Sequence, residues 1–539
     1  YELGPYIYES DNSEKSPDAL AETGGLSKFL ALKKAYQKKY GKGKVLAALS
    51  GDYLSPSAMS TAKIRERDIG SLQEKHSERN GKRTFAARRY FGKAEGSLAG
   101  AHMISVGNKV FDIATFGNHE FDLSEKDLKS RVSESWFPWI ASNLAIQGNF
   151  TKNVLKYRII ETRVPAKSES EKPTTEKIRF GFISATMSAF SVPSYVKILN
   201  STQTKAELIR LTKFLRTEKK VSFVVLLTHL PLASDISLIK AFGEDESLGC
   251  EGINLVLGGH EHESSYGVIG NCAVPLTKSF YNAKAVYVHK IFRDKHPKET
   301  PTFHVDSVFV PLENDCPEDE TLNTEITEWW NLAADAFVKE GLDLKKSVAY
   351  LAQRYDLRND LIYAERNPLL VHIADAHVHC SGSKEVDGGV FNTGAVRVDN
   401  FIGPGVFSVY DVVRVWPYED PIKIVRVSGA TLRKIIETSN LVNRGTHGFI
   451  QLSTEFSDGC MSIEKPSQFD DMCTLGGKPI MSEGSYRIAL PGYLLEGKQE
   501  NLEFLQDCEV EGEESDKLIE NDVRHCLASY LPIHFPIQG

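Results

Sequence analysis

No run of about 18 or more apolar residues occurs in the 539-residue chain, which excludes a membrane-spanning helix. The chain also lacks a basic excess. Its 64 Lys and Arg stand against 72 Asp and Glu, a net charge of −8, which argues against a general nucleic-acid binder. Eight cysteines are scattered without a CxxC pair, excluding the common thiolate zinc patterns. Their even number permits disulfides without showing any. No solenoid-length repeat is visible. What remains is a globular composition on a chain too long for a single core, so two domains are expected.

The first half shows one pattern several times. The segment from Gly24 reads as an amphipathic helix with lysines on its outer face and a glycine stop. "KVLAALSGDYLSPS" follows, an apolar run delivering Asp52 at its end. "KVFDIATFGNHEFD", "KIRFGFISAT", "VSFVVLLTHLP" and "GINLVLGGHEHE" each place a near-continuous apolar stretch before polar residues. Such runs predict strands buried on both faces, with helices such as 203–216 between them and functional groups at strand ends. The expected architecture is a layered α/β domain over 1–315, a bridging helix within 316–344 and a second domain mixing strands and helices over 345–539. Arg- and Lys-rich residues 63–97 read as an exposed insertion.

Taken singly, the polar residues have ordinary structural explanations. Asp52 suits a helix cap, Asn118 and Asp122 suit a turn, and His229 suits a core histidine bonded to a carbonyl. Their joint placement carries more weight. Asp52, Asn118, His229, His260 and His262 all follow apolar strands, and parallel strands of one sheet bring their carboxyl ends to one edge. Carboxylate, carboxamide and imidazole donors suit zinc, manganese, iron or cobalt. Two such ions about 3.5–4 Å apart can acidify a shared water and clamp the oxygens of a displacement at phosphorus. Gly258 and Gly259 loosen the turn that aims His260 and His262, and Glu261 between them points elsewhere.

"SGDYLSPS", "GNHEFD", "THLP" and "GGHEHE", in that order, resemble the blocks of the calcineurin-like metallophosphoesterases, and the second half resembles the substrate domain of their 5'-nucleotidase branch. The resemblance implies two divalent ions, zinc or manganese. Asp52 would bridge them, Asn118, His229 and His260 would complete one site, and His262 would serve the other. It implies that His119 is the catalytic histidine, charged and oriented by Asp122, and that Glu120 and Phe121 serve structure. "NTGAVR" is similar to the family's Asn-Gly-Gly-Gly-Ile-Arg block, making Asn392 and Arg397 substrate contacts. Tyr418 of "VWPYEDP" and Tyr493 of "LPGYLLEG" match the two aromatics that sandwich a base. The implied activity is hydrolysis of nucleoside 5'-monophosphates. The partners are then a nucleotide or related phosphoester, with no nucleic acid and no transmembrane segment. With the sequons Asn149-Phe-Thr and Asn200-Ser-Thr, the resemblance points to a secreted or extracellular setting.

Three departures qualify this. The family's first block, Asp-x-His, does not occur ahead of "YELGP", where Tyr1 corresponds to its third residue. Residues 1–539 alone are therefore expected to bind metal weakly, and restoring upstream residues is expected to raise activity. Ile362 stands where the family has a substrate-gripping arginine, with Arg354, Arg358 and Arg366 nearby in sequence. Gln499 stands where an Asp holds the ribose hydroxyls. These changes keep two alternatives open: a broader phosphoesterase acting on cyclic nucleotides or UDP-sugars, and a non-catalytic ligand-binding protein.

Overall fold

A computed structural model describes residues 24–55, 57–64, 99–147, 153–166, 174–187, 193–293, 303–381, 385–511 and 522–537. Tyr1, the sequon at Asn149 and residues 65–97 of the basic segment lie outside these. The chain forms two compact units, Tyr1–Ala333 and Ala334–Gly539. The helix Glu320–Lys339 runs across their boundary.

The first unit is layered α/β, built on two sheets. One holds four parallel strands in the order Ala48–Ser50, Ile113–Thr115, Trp139–Ile140 and Val154–Leu155. The other holds six, in the order Ser265–Ile269, Val274–Lys278, Leu255–Gly258, Phe223–His229, Thr174–Thr186 and Arg158–Ala166; its two outermost pairs are antiparallel and the inner ones parallel. This corrects the expectation of one sheet. Asp52 and Asn118 follow strands of the first sheet, whereas His229 ends one strand of the second and His260 follows another.

Residues alternate between faces of a strand, and Phe223–His229 shows the consequence. Phe223, Val225 and Leu227 pack with Ile113 and Ile140 of the four-stranded sheet. Val224 and Leu226 pack against Leu208, Leu211 and Leu215 of the helix Ser201–Thr217 and Leu238, Ile239 and Phe242 of the helix Leu232–Gly243. Every residue of the strand is buried, which is why its sequence runs apolar without a break. The helix Leu26–Tyr40 forms and stops at Gly41, but Lys28 and Lys33 are buried rather than on its outer face, Lys33 donating to the Val110 carbonyl. Asn200, the acceptor of the second sequon, is exposed and caps the helix Ser201–Thr217 through its side chain.

The second unit has a five-stranded sheet in the order Ile450–Leu452, Gly388–Asn392, Ser485–Pro491, Ile422–Ser428 and Glu509–Glu511. Val425 and Val427 of this sheet meet Leu432, Ile435 and Ile436 of the helix Gly429–Leu441 in its core. The helix Pro368–Cys380 is tied to the helix Val523–His534 by a disulfide, Cys380–Cys526. Two further disulfides, Cys250–Cys272 and Cys460–Cys473, close shorter loops, and Cys316 and Cys508 are free thiols.

Candidate metal centre

Three strand ends meet so closely that only glycine fits between them. A Cβ at Gly117 would lie 2.1 Å from Asp52 Oδ1, and one at Gly259 would lie 2.4 Å from the Ser50 carbonyl oxygen. Asp52 and His260 both adopt left-handed backbone, φ 54° and 84°, which non-glycine residues enter only when their surroundings hold them there. Glu120 is much of what holds Asp52. Its fully buried carboxylate accepts N–H bonds from Asp52, Tyr53, Leu54 and Gly117, locking the "SGDYL" loop onto the "GNHE" turn. Burial, and then the neighbouring Asp52 charge, raise the Glu120 pKa against those donors. The sequence reading gave Glu120 a structural role, and the structure makes it the hub of the loop.

Asp52 Oδ1 accepts the His119 backbone N–H at 2.8 Å, and Oδ2 stands 2.9 Å from His229 Nε2. His229 Nδ1 lies 2.7 Å from the Ser50 carbonyl, an acceptor only, so Nδ1 carries the hydrogen and Nε2 of the neutral ring presents a lone pair. That lone pair faces a carboxylate oxygen. Two electron-rich atoms this close require a positive charge, whether a proton or a cation. The electrostatics agree. Burial works to lower the His229 pKa, and the Asp52 charge overcomes it and raises it. Burial likewise works to raise Asp52, yet His229 and His119 hold it far below the usual carboxylate range.

The His260 ring packs edge-on to that of His229, centroids 5.4 Å apart, and burial with the His229 charge drops its pKa to about 4, keeping it neutral and able to donate a lone pair. Asn118 Oδ1 is buried without a hydrogen-bond partner, an uncommon state for an amide oxygen. His262, two residues past His260, has its ring 5.9 Å from that of Tyr281. Among the described residues no group of three or more His, Cys, Asp or Glu side chains is gathered closely enough to hold an ion. Asp52 and His229 are in direct contact, the His260 ring lies beside that of His229, and Asn118 sits on the adjoining turn. This mixed oxygen and nitrogen set fits a divalent transition metal. Beside it, His119 Nδ1 bonds Asp122 Oδ2 at 2.8 Å, and Ser55 Oγ reaches the same oxygen at 3.4 Å.

In the second unit, Asn392 ends the strand Gly388–Asn392 and is buried, with Nδ2 donating to Gln499 Oε1 at 3.0 Å and Oδ1 unpartnered. Arg397 is half-buried and its backbone N–H donates to Val415. Ile362 is fully buried. Of the nearby arginines, Arg358 forks onto Asp356, Arg366 donates to the carbonyls of Ser453 and Phe456, and Arg354 stacks 3.4 Å above the Phe401 ring. Tyr418 and Tyr493 are half-buried, and Asp420 joins their loops by accepting the Tyr493 N–H at 3.1 Å. Sequence reasoning missed Asp420, whose only signal was an acidic residue two places past a tyrosine.

Burial pushes the Asp420 carboxyl up to about 7 from an ordinary 3.8. Between those values the folded chain holds a proton that the unfolded chain has lost, so rising pH costs stability across that window, by about 1.4 kcal/mol per unit. Asp420→Asn keeps an acceptor for Tyr493. It is expected to gain stability relative to the parent as pH climbs from 4 to 7, read by urea unfolding; a pH-independent difference would refute the shift.

Residues 319–507 match the family model for the 5'-nucleotidase carboxyl-terminal domain. A curated relative, the trifunctional nucleotide phosphoesterase protein YfkN of Bacillus subtilis, is 23% identical over 398 residues, 67% of this chain; the chain spans about a quarter of that protein's length (25%). The 5'-nucleotidase precursor of Thermus thermophilus superposes with a TM-score of 0.66 at 14% identity, covering 96% of this chain and 92% of that one. The sulfate thiohydrolase SoxB of the same organism gives 0.62 at 13% identity (96% and 82% covered), and the 5'-nucleotidase of Candida albicans 0.58 at 14% (94% and 93%). The carboxyl-terminal part of this chain is thus similar to the 5'-nucleotidase carboxyl-terminal domain, on a chain with the two-domain α/β fold of 5'-nucleotidases.

Proposed function

We propose that the chain is a metal-dependent phosphohydrolase that cleaves nucleoside 5'-monophosphates to nucleoside and phosphate. The carrying observation is the close Asp52 and His229 pair, together with the orphaned, buried Asn118 Oδ1 on the turn whose His119 N–H bonds Asp52. Asp52, Asn118, His229 and His260 would hold one divalent ion, zinc or manganese, and Asp52 would share a second with His262. Ions held there would acidify the attacking water and offset phosphoryl charge. The chain's own groups account for the rest. His119, fixed at Nδ1 by Asp122, keeps Nε2 for the phosphoryl and leaving oxygens. Water adds to phosphorus and loses a proton to solvent, the bond to the nucleoside 5' oxygen breaks, and that oxygen takes the His119 proton, which His119 regains from solvent. Asn392, Arg397, Tyr418 and Tyr493 would contact the nucleotide, the two rings flanking the base.

A second reading, a broader phosphoesterase, is favoured by Ile362 and Gln499: one is apolar and fully buried, the other bonded to Asn392. Turnover of AMP, UMP, UDP-glucose and a cyclic phosphate by the manganese-loaded chain separates the two. Dominant AMP or UMP cleavage supports the first, and preference for the others supports the second. No turnover of any, with the upstream residues restored, would leave a non-catalytic binder. Three disulfides and an exposed sequon at Asn200 support a secreted or extracellular setting.

A further inference from the structure

The strand Val274–Lys278 ends on a lysine whose side chain is wholly buried. A dehydrated ammonium is costly unless acceptors surround it. Lys278 Nζ donates to the Leu230 carbonyl, to the Gly259 carbonyl at 2.8 Å and to the Glu261 carboxylate, with Asp235 Oδ2 2.8 Å away as a second counter-charge. These acceptors occupy particular places. Leu230 follows His229, and Gly259 and Glu261 flank His260 on either side. Glu261 also accepts the Leu232 N–H, so the two histidine-bearing turns are bonded to each other as well as to the lysine. Gly258 leaves room for the lysine stem, since a Cβ there would lie 2.9 Å from Lys278 Cγ.

We propose that Lys278 is a positioning residue for the metal centre. By gripping the residues next to His229 and on both sides of His260, it sets the approach of the two rings and holds His260 in its left-handed backbone, which an unrestrained turn would relax. The role rests on the metal-dependent reading above. It is distinct from ligation, because the ammonium has no lone pair to give a cation.

The test is calorimetric titration of the metal-stripped chain with Mn²⁺. Lys278→Met is combined with Asp235→Asn so that no buried carboxylate is left alone. The double variant is expected to bind Mn²⁺ about 10–100-fold more weakly, the range that groups orienting metal ligands command. Glu261→Gln, on a partly exposed side chain, is expected to shift affinity in the same direction with an unchanged melting temperature, and it decides the matter should the double variant not fold. Parental affinity in the folded variants would overturn the positioning role alone. Absence of Mn²⁺ binding by the parent chain would overturn the metal reading itself, and this role with it.

Discussion

His119→Gln is expected to lower kcat by roughly 10²- to 10⁴-fold, the range that a positioned proton donor supplies, with bound metal unchanged. The reasoning separates the residue's two functions. Its backbone N–H bonds Asp52 Oδ1, a contact that the substitution keeps, so the carboxylate remains oriented for a cation. Its ring bonds Asp122, which is not among the proposed metal donors. Loss of the ring therefore removes transition-state chemistry while sparing the metal donors. Leaving-group dependence provides the check. Hydrolysis of AMP, whose nucleoside oxygen needs a proton as it departs, should fall far more than hydrolysis of p-nitrophenyl phosphate, whose leaving oxygen is a stable anion. Equal losses on both substrates would show that His119 donates no proton to the leaving oxygen.

The apolar strands were legible because burial on both faces leaves no room for polar alternation, and Phe223–His229 is that case. The same property hid their division into two sheets. A strand between a sheet and a layer of helices reads like one between two helix layers, so the pairing of Asp52 with His229 across sheets had no sequence signature. Motif order brought Asp52, Asn118, His119 and His229 to notice, and Asp52 touches both His119 and His229. The His262 ring lies 5.9 Å from that of Tyr281.

Lys278 was illegible for another reason. A lysine ending an apolar strand looks like a hydrated terminus, and its partners Glu261 and Leu230 lie 17 and 48 residues away. Cysteine pairing was equally hidden, for the 146 residues separating Cys380 and Cys526 become a contact only when two helices pack. Local order in sequence reveals strand ends. It does not reveal which buried charges brace them.

Asp52→Asn should have the largest effect on metal binding, exceeding the roughly 100-fold that changes beyond the ligands produce. The amide is nearly the same size and can still accept the His119 N–H, so the Glu120-centred loop should persist. What disappears is the negative charge. At present that charge raises the His229 pKa against the opposing effect of burial, which measures how strongly this point favours a cation. Without it, burial is opposed only by the Ser50 carbonyl and the Glu120 charge, so the His229 pKa falls and its Nε2 faces an amide. A divalent ion would then meet only neutral donors in a largely dehydrated setting, where an uncompensated charge is costly. Two measurements follow on one sample. Calorimetry with Mn²⁺ should show the loss of affinity, and NMR titration of the His229 ring in the metal-stripped chain should show its pKa falling below that of the parent. A variant that keeps both parental values would mean that Asp52 does not create the cation-seeking field at this site, and the phosphohydrolase proposal would lose its physical basis.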